Sequence, residues 1–138
     1  METLTLISVT ASNIFGIIPI ISLITTKRYY GLSLVASAVV GSIFMHATET
    51  KHKLPGLFLA EYSNIFLNID RVIAYCTGLY GLYLFYTNPT KTITFVITPL
   101  IGGTLAFIGE QTEDLSLYTI CHVGWHLLAY IALHLVNH

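Results

Sequence analysis

The residues with the most chemistry in them stand near the end of the chain, in the run LYTICHVGWHLLAYIALHLVNH. His122 and His126 are four residues apart there. On a helix that spacing puts both imidazoles on one face, with Cβ atoms about 6 Å apart. Two imidazoles so placed can close on one metal ion. His46, in GSIFMH, would come from another helix and supply a third nitrogen. Three histidines with an open fourth position are the donor set of a catalytic zinc ion, which polarises carbonyls and activates bound water. Ser42 stands one helical turn before His46 and can hydrogen-bond that water or a substrate oxygen. Asp70, in LNIDRVIAY, can orient the water and accept its proton. A single histidine of this kind is more often a hydrogen-bonding core residue than a ligand. The joint occurrence of three histidines, a carboxylate and a serine is what points to metal. A haem between His46 and a histidine of the last helix is the competing arrangement, and it leaves Asp70 and Ser42 without a role.

The elements that must hold these groups are set by composition. Of 138 residues, 54% are hydrophobic and 9% charged, where a soluble domain carries about 25% charged residues. The deficit places the chain in the membrane class, with no nucleic-acid partner expected. Five apolar runs, near residues 4–25, 30–48, 65–86, 92–109 and 117–136, have spanning length. They use most of the chain. The expectation is one transmembrane domain over residues 1–138, all-α, a polytopic helical bundle of about five membrane helices. A barrel would alternate apolar and polar residues, which these runs do not.

The links are short: TTKRYYG, ETKHKLPGLFLAEYSN, TNPTK and EQTEDLS. LPGLFLA in the longest is expected at the membrane interface, and Pro89 in a tight turn. Glu110, Glu113 and Asp114 read as a solvated acidic loop, with calcium or headgroup binding as the alternative. The N-terminus has no basic segment of a signal peptide, so the first span is expected to stay. Cys76 and Cys121 differ in depth by roughly 10 Å at about 1.5 Å per residue, so both are expected as buried free thiols. Pro19 and Pro99 are expected to kink their helices.

Ionisable groups at membrane depth face a bundle interior or a cavity. His46 falls near the end of the second run, Asp70 near the start of the third and His122 near the start of the fifth. Alternating spans put all of them at the same side. The positive-inside rule, applied to Lys27 and Arg28 and supported by Lys91, puts the N-terminus outside and the C-terminus in the cytosol, with the metal site near the extracytosolic face. Lys51 and Lys53 oppose that orientation. His134 and His138, at the other end, read as snorkelling residues.

Taken together, Ser-Xaa3-His at Ser42 and His46, the aspartate Asp70 and His-Xaa3-His at His122 and His126 resemble the CREST superfamily. That group includes alkaline ceramidases, adiponectin receptors, lipid-remodelling factors of GPI-anchored proteins and the muscle fusion protein myomaker. The resemblance implies Zn2+ on His46, His122 and His126, with Ser42 and Asp70 contacting the zinc-bound water. Members of the family generally have seven membrane helices, so the chain is either a reduced member or one whose bundle is completed by another copy, as a homo-oligomer. The implied function is hydrolysis of a lipid amide or ester, with a membrane lipid as substrate or a bound acyl chain. The alternative is a non-enzymatic, zinc-stabilised membrane protein of fusion, signalling or assembly.

Overall fold

Pro19 decides the shape of the first apolar run. A proline inside a helix cannot donate to the carbonyl four residues back, here that of Phe15, and its ring crowds it. The computed structural model describes residues 1–87 and 94–137. It opens with α1 (Glu2–Ala11), passes through a 3-10 stretch at Ser12–Gly16 and resumes as α2 (Ile17–Thr25). Pro19 thereby lies in the first turn of α2, where its missing N–H costs nothing. Ser12 favours the break because its side chain competes for backbone partners, with Oγ donating to the Val9 carbonyl at 2.6 Å. Gly16 lets the broken segment sit close to its neighbours. A Cβ there would collide with Val39 and stand 3.2 Å from the Tyr130 ring.

A Schellman turn ends α2. Lys27 takes the left-handed conformation usually left to glycine, with φ of 55°. Its N–H donates to Ile24 at 3.1 Å and that of Arg28 to Leu23 at 3.0 Å. The chain reverses into α3 (Tyr29–Ala47), which buries Gly31, Val35, Ser42 and His46. Four-residue steps, Gly31 to Val35 and Ser42 to His46, keep these groups on one inward face. Residues 48–62 follow, with two short 3-10 turns. The Leu57 N–H bonds the Ala47 carbonyl at 2.7 Å and ties this link to the end of α3. Leu54 is buried, while Leu57, Phe58 and Leu59 are exposed.

Helices α4 (Ser63–Thr87), α5 (Thr94–Gln111) and α6 (Leu115–Asn137) complete the chain. α4 packs on α3, and α5 on α6. The second pair is close because glycines remove side chains from the seam: a Cβ on Gly102 would lie 3.0 Å from the Trp125 ring, and one on Gly109 3.2 Å from Cys121. Asp114 caps α6, its Oδ1 accepting the N–H groups of Ser116 at 2.7 Å and Leu117 at 3.2 Å.

The regular elements among the described residues are all helical, with no strand among them. The segments match the five apolar runs to within two residues at each end. Three of them, Glu2–Thr25, Tyr29–Ala47 and Leu115–Val136, are long and apolar enough to cross a membrane. α4 and α5 have comparable lengths of 25 and 18 residues. Asn64, Asn68, Asp70 and Arg71 lower the hydropathy of α4, and Glu110 and Gln111 that of α5. Pro99 lies within α5 without ending it. Both cysteines are free, but Cys76 is exposed rather than buried. The buried face of α4 carries Thr77, Gly81 and Leu84, and Cys76 is one residue, about 100°, off that face. His134 is half-buried in α6. The turn at Pro89, the charge of Lys91, residues 92 and 93 and the terminal His138 lie outside the described residues.

The packing at Gly16 is testable. Gly16→Leu should lower the thermal midpoint in detergent, with an overpacking cost of about 1–3 kcal/mol. Gly78→Ala is the matched control, since a Cβ there meets nothing within 4 Å. It should leave the midpoint unchanged or raise it through helix propensity. Equal midpoints for wild type and Gly16→Leu would contradict the close contact.

Candidate metal centre

Three buried imidazoles meet where α3 passes α6. His46 is wholly inaccessible, and His122 and His126 nearly so. Their ring centroids are separated by 4.3 Å for His46 and His122, 5.2 Å for His46 and His126, and 4.8 Å for His122 and His126. One nitrogen from each lies within 4.8 Å of the others, so the three can hold a metal ion. The sequence-predicted ligand set is therefore brought together by the fold.

The hydrogen bonds around the rings decide which nitrogens are available. His46 Nδ1 is 2.9 Å from Glu49 Oε2. A carboxylate only accepts, so Nδ1 carries the proton and Nε2 keeps its lone pair. Glu49 is itself buried and accepts from the Tyr118 hydroxyl, 2.8 and 2.7 Å from its two oxygens. His126 Nδ1 is 2.6 Å from Ser12 Oγ. The Ser12 hydroxyl hydrogen goes to the Val9 carbonyl, so Ser12 accepts from Nδ1–H and His126 Nε2 keeps its lone pair. Ser42 Oγ stands 3.3 Å from that Nε2.

Two buried ring nitrogens of the cluster, His46 Nε2 and His122 Nδ1, have no hydrogen-bond partner among the described residues. An unsatisfied polar atom in an apolar interior costs about 1–3 kcal/mol. A cation bound to these lone pairs removes that cost, and this is the observation by which the residues fit a metal ion. Three neutral nitrogens suit a borderline ion such as zinc better than the oxygen-seeking magnesium or calcium.

Asp70 reaches the same place from α4. It is half-buried and sits against Gly41, where a Cβ would lie 3.8 Å from the Asp70 Cα. It lines the cavity that the histidines line, within electrostatic reach of His46. Among the described residues it makes no direct hydrogen bond to the three rings. Ser42 of α3 and Asp70 of α4 thus line the same cavity as the three histidines.

The cavity has a volume of about 900 Å³ and a mostly apolar lining. It runs from the histidines, past Trp125, to Gly78, Gly81 and Phe85. Asp70 and Phe85 are fifteen residues apart on α4, which at about 1.5 Å per residue is roughly 22 Å. Glu110 of the acidic link also lines it, and pairs with Lys51 from the link after α3. With Asp114 serving as the cap of α6, only Glu113 of that acidic trio stands simply exposed.

Sequence reasoning missed Glu49, Tyr118 and Ser12. Two of them carry a weak signal: Glu49 follows His46 by three residues, and Tyr118 precedes His122 by four, spacings that share a helical face. Ser12 carries none, because its position depends on the break in the first helix. Comparison with protein-family models, curated proteins and solved structures finds no match to this chain.

His126→Ala breaks the i,i+4 chelate. The purified variant should lose stoichiometric metal in elemental analysis, where the wild type should hold about one ion per chain, the count a three-histidine donor set serves. It should also melt at a lower temperature, because a ligand bound only by the folded state stabilises it. Full metal occupancy in this variant would remove His126 from the site.

Proposed function

We propose that this chain is an intramembrane, zinc-dependent hydrolase of a lipid amide or ester, built as a reduced CREST-like bundle of five helices. The observation that carries the reading is the position of the histidine cluster, Ser42 and Asp70 at one end of a long apolar cavity. A cavity of about 900 Å³ is large enough for an acyl chain. An extended chain lying along it brings its carboxyl carbon to the histidines. The positive-inside argument puts that end near the extracytosolic face.

His46, His122 and His126 would hold the zinc ion, which when bound would supply a Lewis acid for the lipid carbonyl and an activated water. The remaining work falls to side chains. Asp70 accepts the proton of the water as its oxygen adds to the carbonyl carbon. It returns that proton to the departing nitrogen or oxygen as the C–N or C–O bond breaks, giving a fatty acid and an amine or alcohol. Ser42 Oγ, adjacent to His126 Nε2, holds the water or the carbonyl oxygen. The apolar wall keeps other water from the reacting atoms.

A second reading is favoured by which segments the cluster joins. Ser12, His46 and His126 come from the three segments apolar enough to cross a membrane. A metal there braces all three, as a zinc-stabilised scaffold for fusion, signalling or assembly requires.

Asp70→Asn separates the two. It keeps the size of the side chain and removes the base. Metal should remain bound, and release of fatty acid from a panel of ceramides, lysolipids and N-acyl amides should fall by more than about 10²-fold, the lower scale for a general base. Unchanged turnover would take Asp70 out of the mechanism. A metal-loaded wild type with no product from any lipid would favour the scaffold.

A further inference from the structure

Glu49 is the buried charge that the proposed reaction does not use. It follows Thr48, the capping residue of α3, and is 5% exposed. A carboxylate that deep needs compensation. Among the described residues its two partners are the Tyr118 hydroxyl and the His46 ring, neither a permanent cation. The nearest lysine along the chain, Lys51, pairs with Glu110 instead, and Lys53 is exposed. On the far side of the His46 ring lies the unpartnered Nε2, aimed into the three-histidine cluster.

We propose that Glu49 is a positioning residue of the metal centre: with Tyr118 it fixes His46 as the tautomer that presents Nε2, and its charge strengthens that imidazole as a ligand. The inference rests on reading the three histidines as a metal centre. Carboxylate–histidine pairs of this kind orient metal-bound imidazoles, and losing the outer partner costs about 10–100-fold in metal affinity. Tyr118 braces the carboxylate from α6, the helix that carries His122 and His126. The same helix thus supplies two ligands and the support for the third.

The centre is asymmetric. His126 is held by the neutral hydroxyl of Ser12, itself fixed to the Val9 carbonyl. His46 is held by a charge. Removing the charge should therefore weaken metal more than removing the hydroxyl does.

The test uses the full chain in detergent micelles, with zinc affinity measured by chelator competition and the visible spectrum recorded with cobalt(II). Glu49→Gln keeps an accepting oxygen and removes the charge. Zinc should bind about 10–100-fold more weakly, and the cobalt bands should shift, which a purely structural role would not produce. Ser12→Ala should give a smaller loss. Tyr118→Phe leaves the carboxylate in place and should give a loss in the same direction as Glu49→Gln, and it decides the matter if Glu49→Gln does not fold. A wild type that binds zinc, with both Glu49→Gln and Tyr118→Phe matching it in affinity and cobalt spectrum, overturns the role of Glu49. A wild type that takes up neither ion overturns the metal centre itself, and this inference with it.

Discussion

Buried imidazole nitrogens need something to bind. Three such rings in an apolar bundle, two of them with an unpartnered nitrogen, form the constraint on which the rest of this structure depends. The surroundings answer it in part. Glu49 accepts a hydrogen bond from the Nδ1–H of His46, and Ser12 from that of His126. These bonds do not relieve the cluster; they turn its lone pairs inward. The outer hydrogen bonds and the inward lone pairs are two sides of one arrangement, in which the fold prepares donors for a cation.

Each helix contributes something that arrangement requires. Pro19 breaks the first segment, and the break brings Ser12 to His126 and Asn13 to the Tyr130 hydroxyl, 2.9 Å away. Gly16 permits the approach. α3 ends just after His46, so the chain can turn and bring Glu49 back against the ring. Gly41 leaves space for Asp70 of α4. α5 adds no ligand, but its glycine seam against α6 sets Trp125 and the far wall of the cavity. The hydrophobic clusters are small, one of Leu6, Val9, Leu54 and Tyr118 beside the site and one of Leu84 and Val136 at the far end. Much of the remaining apolar surface faces outward, as the surface of a chain solvated by lipid does.

Much of this was legible in the sequence, for physical reasons that can be named. Apolar runs of spanning length gave the helix positions, because composition and length alone separate such helices from links. His122 and His126 were legible because four-residue spacing has one meaning on a helix. The grouping of Ser42, His46 and Asp70 with them followed from depth. The outer partners were not legible. Glu49 stands among charged residues in what reads as a solvated link, and only the turn at the end of α3 buries it. Ser12 sits in an ordinary apolar run, and only the 3-10 break turns it toward α6. The hydropathy of α4 and α5 was overread, because Asp70, Arg71, Glu110 and Gln111 interrupt runs that otherwise look uniform.

The central claim is that these three histidines form a metal centre. X-ray absorption at the metal edge of the purified, metal-loaded chain tests it most directly, because one spectrum identifies the element and its neighbours. The account predicts a zinc edge with three imidazole nitrogens at about 2.0–2.1 Å and one oxygen neighbour. Absence of a bound metal, or a first shell containing sulfur from Cys121, would contradict it.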